Sequence, residues 1–367
     1  MIELALLFIL TLYASLIIFL INVAFRFPGG QKIAEATIEP VSIVIPCKNE
    51  AHNLPRLIAS IKQLEYPAAM EVVFIDDDSV DDTATIIEQV RRESGIPIRL
   101  LKNRFEKKIG LTSKQQALDL GIREALYPCI ALTDADMSFD KQWLLSLAVS
   151  LKPGIDLVFG HTAIIPGRSL FALFQSFQLA FLFSIAALFH YCGIPGSCMG
   201  NNILLRKTAY LECGGYTAIG YAITEDRALL RQFRRRGRTT GIVVPFLPTA
   251  FTAAHSSRRL FFQQAARWVR GGFSNGMHLL AAGLLFTLQN SALIAGAAGL
   301  LSERLQLLAL VNTLLTWMLL LITFKKLKPP VSALLFPFYF PLLIIETILL
   351  IPALFPIKRI IWKGRPV

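Results

Sequence analysis

Residues 41–80, VSIVIPCKNEAHNLPRLIASIKQLEYPAAMEVVFIDDDSV, decide how the chain folds. Val41–Ile45 is a short β-branched run closed by Pro46. Residues 50–64 carry a helical pattern. Glu71–Ile75 is a second strand-like run, and it ends in Asp76, Asp77 and Asp78. Strand, helix and strand in that order predict a βαβ unit and therefore a parallel sheet.

The rhythm continues toward the C-terminus. A helix is expected from about Asp82 to Glu93, a third strand over Ile96–Leu101 and a helix over 112–125 with Ser113 or Thr112 as its cap. A fourth strand follows over Cys129–Thr133, and another helix begins near Asp140. The expectation is an α/β domain with a mostly parallel, Rossmann-like sheet covered by helices on both faces. A second acidic group, Asp134-Ala135-Asp136, directly follows the fourth strand, as Asp76–Asp78 follows the second. Ligands of open parallel sheets bind outside the carboxyl ends of the strands, so both groups are expected to face one crevice. One Asp-rich turn is often only a solvated cap; two at matching strand ends favour a site.

Outward from this domain the composition changes. Residues 2–25 carry a single charge, Glu3. At about 1.5 Å per residue they can cross a hydrocarbon core of roughly 30 Å. No basic stretch precedes the run and no small-x-small cleavage site follows it, so it reads as an anchor over residues 1–26 rather than a signal peptide. Three further apolar segments, near 279–301, 305–324 and 331–356, make a C-terminal membrane region over 279–357 ahead of a basic tail, 358–367. The hydrophobic share of 54% and mean hydropathy of +0.54 fit neither an ordinary soluble domain nor a pure membrane bundle. The net charge of +12 suits anionic lipid or a nucleotide-diphosphate ligand. Nucleic acid is not expected beside membrane spans. Five scattered cysteines, with no Cys-x-x-Cys pair, indicate neither a zinc site nor a disulfide framework; a reduced, cytoplasmic setting fits.

Two carboxylates one residue apart, Asp134 and Asp136, can aim oxygens at one hard cation, Mg²⁺ or Mn²⁺, bridged to a substrate diphosphate. Asp77, at the end of the second strand, can accept from the imide N–H of uracil, with Asp76 bracing the turn. Lys114 and Arg267 are candidate counter-charges for the diphosphate; for Lys114 a solvated helix face is an equal reading. In ITEDRALL, Glu225 and Asp226 open a helix with Thr224 near its cap. Asp226 can take a proton from an acceptor hydroxyl, although compensation of the helix N-terminus is the plainer reading of that motif alone. Trp268, in QQAARW, offers an indole face to a sugar ring or to lipid. Residues 258–278 read as an interfacial element, because Arg258, Arg259, Arg267 and Arg270 alternate with Phe261, Phe262 and Trp268. Residues 169–190 are nearly apolar enough to cross a membrane. A crossing there would separate the Asp134 and Asp226 motifs, so this stretch is expected to lie at the interface or pack on the domain, within a catalytic region spanning 27–257.

Taken together, VSIVIPCKNE, IDDDSVDDT, GLTSKQQALDLGI, ALTDADMSFD, GNNILLRKTAYLECGGY, ITEDRALL and QQAARW resemble the membrane-bound family 2 glycosyltransferases of the GT-A fold. The layout is similar to the branch holding ceramide glucosyltransferase-like enzymes and the hyaluronan, chitin and cellulose synthases. The resemblance runs from about Val41 to Trp268. It implies that Pro46, Lys48, Glu50 and Asp77 line the nucleotide pocket; Lys114, as a candidate counter-charge, and Asp134 are expected on the nucleotide as well. It further implies that Asp134 and Asp136 hold the metal, that Asp226, next to Glu225, is the general base, and that Gln264, Arg267 and Trp268 close on the diphosphate and acceptor. The implied reaction inverts the anomeric centre of a nucleotide-sugar donor in one displacement. Asp78 stands where the family usually has Gly, and the aromatic often found at the position of Lys48 is missing.

Processive synthases generally carry more membrane helices than this chain. The expectation is therefore transfer of a single sugar, or a few, from a UDP-sugar to a lipid or lipid-linked acceptor. A small processive polysaccharide synthase is the alternative, and a non-enzymatic membrane protein is disfavoured by the intact acidic set. Arg26 and Lys32 place the domain on the cytoplasmic side of the cell membrane by the positive-inside rule. Pro337, Pro341, Pro352 and Pro356 interrupt the last apolar segment, which is expected to bend or re-enter and return the basic tail to that side.

Overall fold

A computed structural model of the protein describes all residues except 28–37, 107–108, 166, 168, 195, 245–248, 274–276, 351–360, 363–364 and 367. Lys32 and most of the basic tail lie outside the described residues; of the tail, Ile361–Trp362 and Arg365–Pro366 form a short antiparallel pair. The chain divides into two compact units. One takes 31–168 and 197–254, the other 1–30, 169–196 and 255–367. The segment 169–196, which lies inside 27–257, groups with the apolar helices: Phe174, Phe177, Ala180 and Phe181 of its helix pack in a cluster with residues of 320–344.

In the α/β unit, β1 (Val41–Cys47) runs parallel to β2 (Met70–Asp76), in register from Val41 opposite Met70 to Cys47 opposite Asp76. All of β1 except Pro46 is buried, as expected for a parallel strand covered on both faces. Helix α2 (Leu54–Lys62), after the 25-residue helix α1 (Ile2–Arg26) of the other unit, connects these strands. The strand continues through Pro46 rather than ending before it. Pairing with β4 (Cys129–Leu132) stops at Val44 opposite Leu132. The Val44 carbonyl accepts from Thr133 on that side, and Cys47 carbonyl accepts from Asp77 on the other. The missing N–H of Pro46 therefore faces the side where pairing has run out, and no ladder bond is lost.

Helices α3 (Thr83–Glu93) and α4 (Ser113–Glu124) flank β3 (Ile98–Lys102). Thr112 caps α4 in a full capping box with Gln115. Gly121 lets α4 lie close on the sheet: a Cβ there would stand 2.6 Å from side-chain atoms of both Val44 and Ile75. After β4 come β5 (Met137–Phe139), α5 (Trp143–Ala148), β6 (Leu157–Phe159), β7 (Thr162–Ile164), β8 (Ile203–Arg206), α7 (Lys207–Glu212), α8 (Gly215–Ile219), α9 (Glu225–Arg235), β9 (Thr240–Ile242) and β10 (Ala250–Thr252), with α6 (Leu170–Tyr191) between β7 and β8.

The main sheet has seven strands in the order β3-β2-β1-β4-β8-β6-β9, and β5-β10-β7 form a smaller one. In the main sheet β8 alone runs against its neighbours. The connections from β1 go outward to β2 and β3, then return past β1 to β4. The order reverses between β1 and β4, and it is outside the carboxyl ends at such a point that α/β sheets bind ligands. Lys48, Asp77 and Asp134 follow β1, β2 and β4 there.

The other unit holds α1, α6, α10 (Arg258–Phe273), α11 (Met277–Ala297), α12 (Glu303–Leu327) and α13 (Phe336–Leu350). Among the described residues, helices at Ile2–Arg26, Leu170–Tyr191, Glu303–Leu327 and Ala333–Leu350 are long and apolar enough to cross a membrane, and a shorter apolar helix runs over Ala281–Ala297. Phe177 stacks on Tyr339, ring centroids 4.9 Å apart, in an aromatic cluster of α6, α12 and α13. Asn312 Nδ2 donates to the Leu10 carbonyl and to Gln289 Oε1, both at 2.9 Å, tying α12 to α1 and α11. Such interhelical bonds are worth about 1 kcal/mol each where the surroundings are apolar. Although α6 is long enough to cross, β6 and β8 flank it in sequence and pair directly, Leu157 opposite Leu205. A single crossing by α6 would separate two hydrogen-bonded strands, so α6 does not cross on its own.

Candidate active site

Asp77 begins the turn after β2 and is 5% exposed. Its N–H donates to the Cys47 carbonyl at 2.8 Å, and Lys48 Nζ donates to the Asp77 carbonyl at 3.2 Å. Asn103 Nδ2, at 2.7 Å, and Ser113 Oγ both donate to Asp77 Oδ1, which fixes the plane of the carboxylate. Asp76 Oδ1 accepts from the Ser79 N–H at 3.0 Å and so braces the turn. Asp78 sits at φ 62, in the left-handed region where Gly is least strained; a short polar side chain such as Asp also tolerates it. Glu50 is buried and accepts from Asn53 Nδ2 at 2.7 Å, while its N–H donates to Thr83 Oγ1 at 2.8 Å, tying the turn after β1 to α3. Pro46 is half-buried near the end of β1.

Lys114, in the first turn of α4, joins two of the acidic motifs. Its Nζ lies 2.7 Å from Asp134 Oδ1 and 2.7 Å from Glu225 Oε1. Burial alone would lower its pKa, but the two carboxylates outweigh that and hold the ammonium above the ordinary lysine range. Asp134 is half-buried, whereas Glu225 is buried in the first turn of α9. Asp136 belongs to the same bend, where Arg56 donates to its backbone carbonyl at 2.5 Å.

Asp226 is held by main chain. Gly200 N–H donates to its Oδ2 at 2.9 Å, and Arg227 N–H donates to its Oδ1 at 2.7 Å. A Cβ on Gly200 would stand 2.8 Å from Asp226 Cβ, so only glycine permits this approach. The loop carrying Gly200 is itself pinned: Trp143 Nε1 donates to Asn202 Oδ1 and Asn202 Nδ2 donates to the His161 carbonyl, both at 2.9 Å. Burial, then the Asp226 and Glu225 carboxylates, push the nearby Cys198 thiol well above its ordinary range.

Asp134, Glu225 and Lys114 are thus brought together, with Asp226 adjoining Glu225. Ser113 and Asn103 donate to the candidate residue Asp77, and Gly200 donates to the candidate Asp226; the sequence reading missed all three. Ser113 reads locally as a helix cap, and Gly200 as one glycine of the GNN stretch. Gln264, Arg267 and Trp268 lie on α10, in the helical unit, each half-buried. There Gln264 Oε1 accepts from His255 Nε2 at 2.6 Å.

Among the described residues no group of three or more His, Cys, Asp or Glu side chains converges as a ready-made metal site. Asp134 and Asp136 supply hard oxygen ligands only, and Asp134 already attracts a cation, the Lys114 ammonium. That donor set fits Mg²⁺ or Mn²⁺, ions that usually take one or two carboxylates and complete their shell with phosphate oxygens and water.

With this geometry in hand, comparison with known proteins gives the class. The chain belongs to glycosyl transferase family 21, whose model matches residues 6–366. It is a glycosyltransferase with a GT-A-type α/β fold; the family is 21 where the motifs alone point to family 2. It is similar to the uncharacterized glycosyltransferase Rv0539 of Mycobacterium tuberculosis, 33% identical over 129 residues, which are 35% of this chain and 51% of that protein. It is also similar to poly-beta-1,6-N-acetyl-D-glucosamine synthase of Staphylococcus aureus, 25% identical over 241 residues, 64% of this chain and 55% of that protein. The match thus spans about half the length of these relatives. Among solved structures, the mannosyltransferase PcManGT from Pyrobaculum calidifontis, in complex with GDP-Man and Mn²⁺, superposes with a TM-score of 0.58 at 14% identity, covering 96% of this chain and 97% of that one.

Proposed function

We propose that the protein transfers one sugar from a UDP-sugar to a hydroxyl of a membrane lipid or lipid-linked acceptor, with inversion at the anomeric carbon. The observation that carries this reading is Lys114 bridging Asp134 and Glu225 beside a main-chain-held Asp226. Acids from distant motifs are gathered around one cation at the sheet's switch point, where a donor diphosphate needs both counter-charge and a base.

In this mechanism Asp77, oriented by Asn103 and Ser113, accepts from the uracil imide. Pro46, Lys48 and Glu50 shape the pocket beside it. Lys114 turns its charge toward the diphosphate. Asp134 and Asp136 would hold Mg²⁺ or Mn²⁺, which when bound offsets the charge developing on the leaving phosphate. Asp226 removes the acceptor proton as the hydroxyl attacks. Gln264 and Arg267 stabilise the departing diphosphate, and Trp268 packs on the acceptor. The apolar helices support a membrane location and a lipid acceptor, and the basic residues after α1 support a cytoplasmic site.

A second reading, a small processive polysaccharide synthase, is favoured by the likeness to the poly-N-acetylglucosamine synthase. It uses the same chemistry and differs in product length. The test of the shared chemistry is Asp226→Asn. Transfer from UDP-sugar to lipid should fall by about 10³-fold or more while UDP binding stays within about threefold, because a missing general base costs rate and not donor affinity. Transfer near the wild-type rate would overturn the assignment of Asp226.

A further inference from the structure

We infer that His255 is the positioning residue of Gln264, and that α6 sets this pair through Gln175. The inference rests on the reading above, in which Gln264 acts on the donor or acceptor.

Gln175 lies on α6 and is 3% exposed. Both ends of its amide are spent on the main chain of His255. Its Nε2 donates to the His255 carbonyl at 3.0 Å, and its Oε1 accepts from the His255 N–H at 2.8 Å. A buried side chain that satisfies both main-chain groups of one residue fixes that residue's position, because moving it would strand an amide in an apolar setting. The His255 ring then reaches across the start of α10, and its Nε2 donates to Gln264 Oε1 at 2.6 Å.

This bond has a chemical consequence. An amide carries one acceptor oxygen and an NH₂ with two donors. With the oxygen held by the imidazole, the orientation of Gln264 is set and its NH₂ end is the part left to face a ligand. A pair of N–H donors is what an anionic diphosphate or a sugar hydroxyl takes. Without His255 the amide is free to rotate, and half of its orientations present an oxygen to the same anion. One turn further along α6, on the same face, Gln178 donates to the carboxylate of Glu346 on α13, which is 6% exposed. Helix α6 therefore holds α13 through one glutamine and the Gln-x-x-Arg-Trp helix through the other. This gives the non-crossing helix a role that its apolar composition alone does not indicate.

The experiment is a double-mutant cycle in the full-length protein in lipid, with UDP-sugar and lipid extract as substrates. The variants are His255→Phe, Gln264→Ala, the pair together, and His255→Gln as a conservative donor. The account predicts that His255→Phe lowers kcat/KM by about 10-fold to 100-fold, and that His255→Gln recovers most of it. The double variant should be no worse than Gln264→Ala alone. Gln175→Met, which releases the His255 main chain and keeps its ring, should give a smaller loss in the same parameter. That keeps the idea testable if His255→Phe does not fold. Additive losses in the cycle, or full activity in His255→Phe beside a crippled Gln264→Ala, would overturn the role of His255 alone. Full activity in Gln264→Ala would overturn the reading of the motif itself, and this inference with it.

Discussion

Gly200 and Asp226 are 26 positions apart, yet the glycine N–H donates to the aspartate Oδ2 at 2.9 Å and a Cβ on the glycine would collide with Asp226 Cβ at 2.8 Å. The carboxylate proposed as the base takes backbone N–H donors on both of its oxygens, from Gly200 and from Arg227. Backbone held in this way cannot swing with solvent, so the direction of the carboxylate is set before substrate arrives. Gly200→Ala should displace Asp226 by a few tenths of an ångström or more. Displacements of about 1 Å at a reacting group cost on the order of 10²-fold in rate. A large fall in kcat with donor KM nearly unchanged is the expected result, read by steady-state kinetics.

Asn103 and Ser113 both donate to Asp77 Oδ1. If Asp77 reads the base, these two set its orientation and hence base selectivity. Ser113→Ala and Asn103→Ala should each raise the KM for a UDP-sugar by about 10-fold, the scale of one hydrogen bond to a charged group. They should leave kcat largely intact. Competition between UDP and GDP, measured by displacement of a labelled nucleotide, should lose selectivity in both variants.

Lys114 carries the charge between Asp134 and Glu225. Lys114→Met leaves these two carboxylates without their shared cation, and donor binding should weaken by about 10-fold to 100-fold; Lys114→Arg should retain more of it. Two carboxylates hold the Lys114 pKa above the ordinary range. A raised lysine contributes fully below its unfolded value of about 10.4 and is lost only as pH rises through the folded value. The stability that Lys114 contributes should thus persist as pH rises through about 10.4, read as the difference in melting midpoint between the wild type and Lys114→Met.

His161 is 3% exposed, and burial pushes its pKa down to about 3. The folded protein refuses a proton that the unfolded chain takes up at about pH 6.5. Below that value the unfolded state binds more protons, so stability falls as pH drops from about 6.5 toward 3. The melting midpoint in detergent should fall between pH 7.5 and pH 5, and by less in His161→Gln. An equal fall in both proteins would assign the acid sensitivity to other groups.

Much of the α/β unit is legible in its sequence because β1, β2 and β4 are short apolar runs, and β2 and β4 lead directly into paired acids, a pattern that few alternatives share. The strand β8 is not legible that way. ILLR gives no sign that it runs against its neighbours, a choice made by which strands lie beside it. Local pattern also cannot separate Thr112 from Ser113: one caps α4 and the other turns inward to Asp77. An Asp at position 78 gives no local sign of the left-handed turn there, which is the reason a glycine is usual at that place. Likewise, α6 has the length and composition of a crossing helix, and only the pairing of β6 with β8 shows that it does not cross alone. Gly200 and His255 act through contacts 26 and 9 positions away, and no periodicity encodes them.

The most direct test of the central claim is release of UDP by the purified protein in lipid, with Mg²⁺ or Mn²⁺, across a panel of UDP-sugars and a total lipid extract, with products read by mass. The account predicts one lipid species gaining a single hexose or N-acetylhexosamine, in step with UDP released. A ladder of masses would contradict single transfer and move the assignment to a polymer synthase. The absence of both turnover and UDP binding with every donor would contradict the proposed donor.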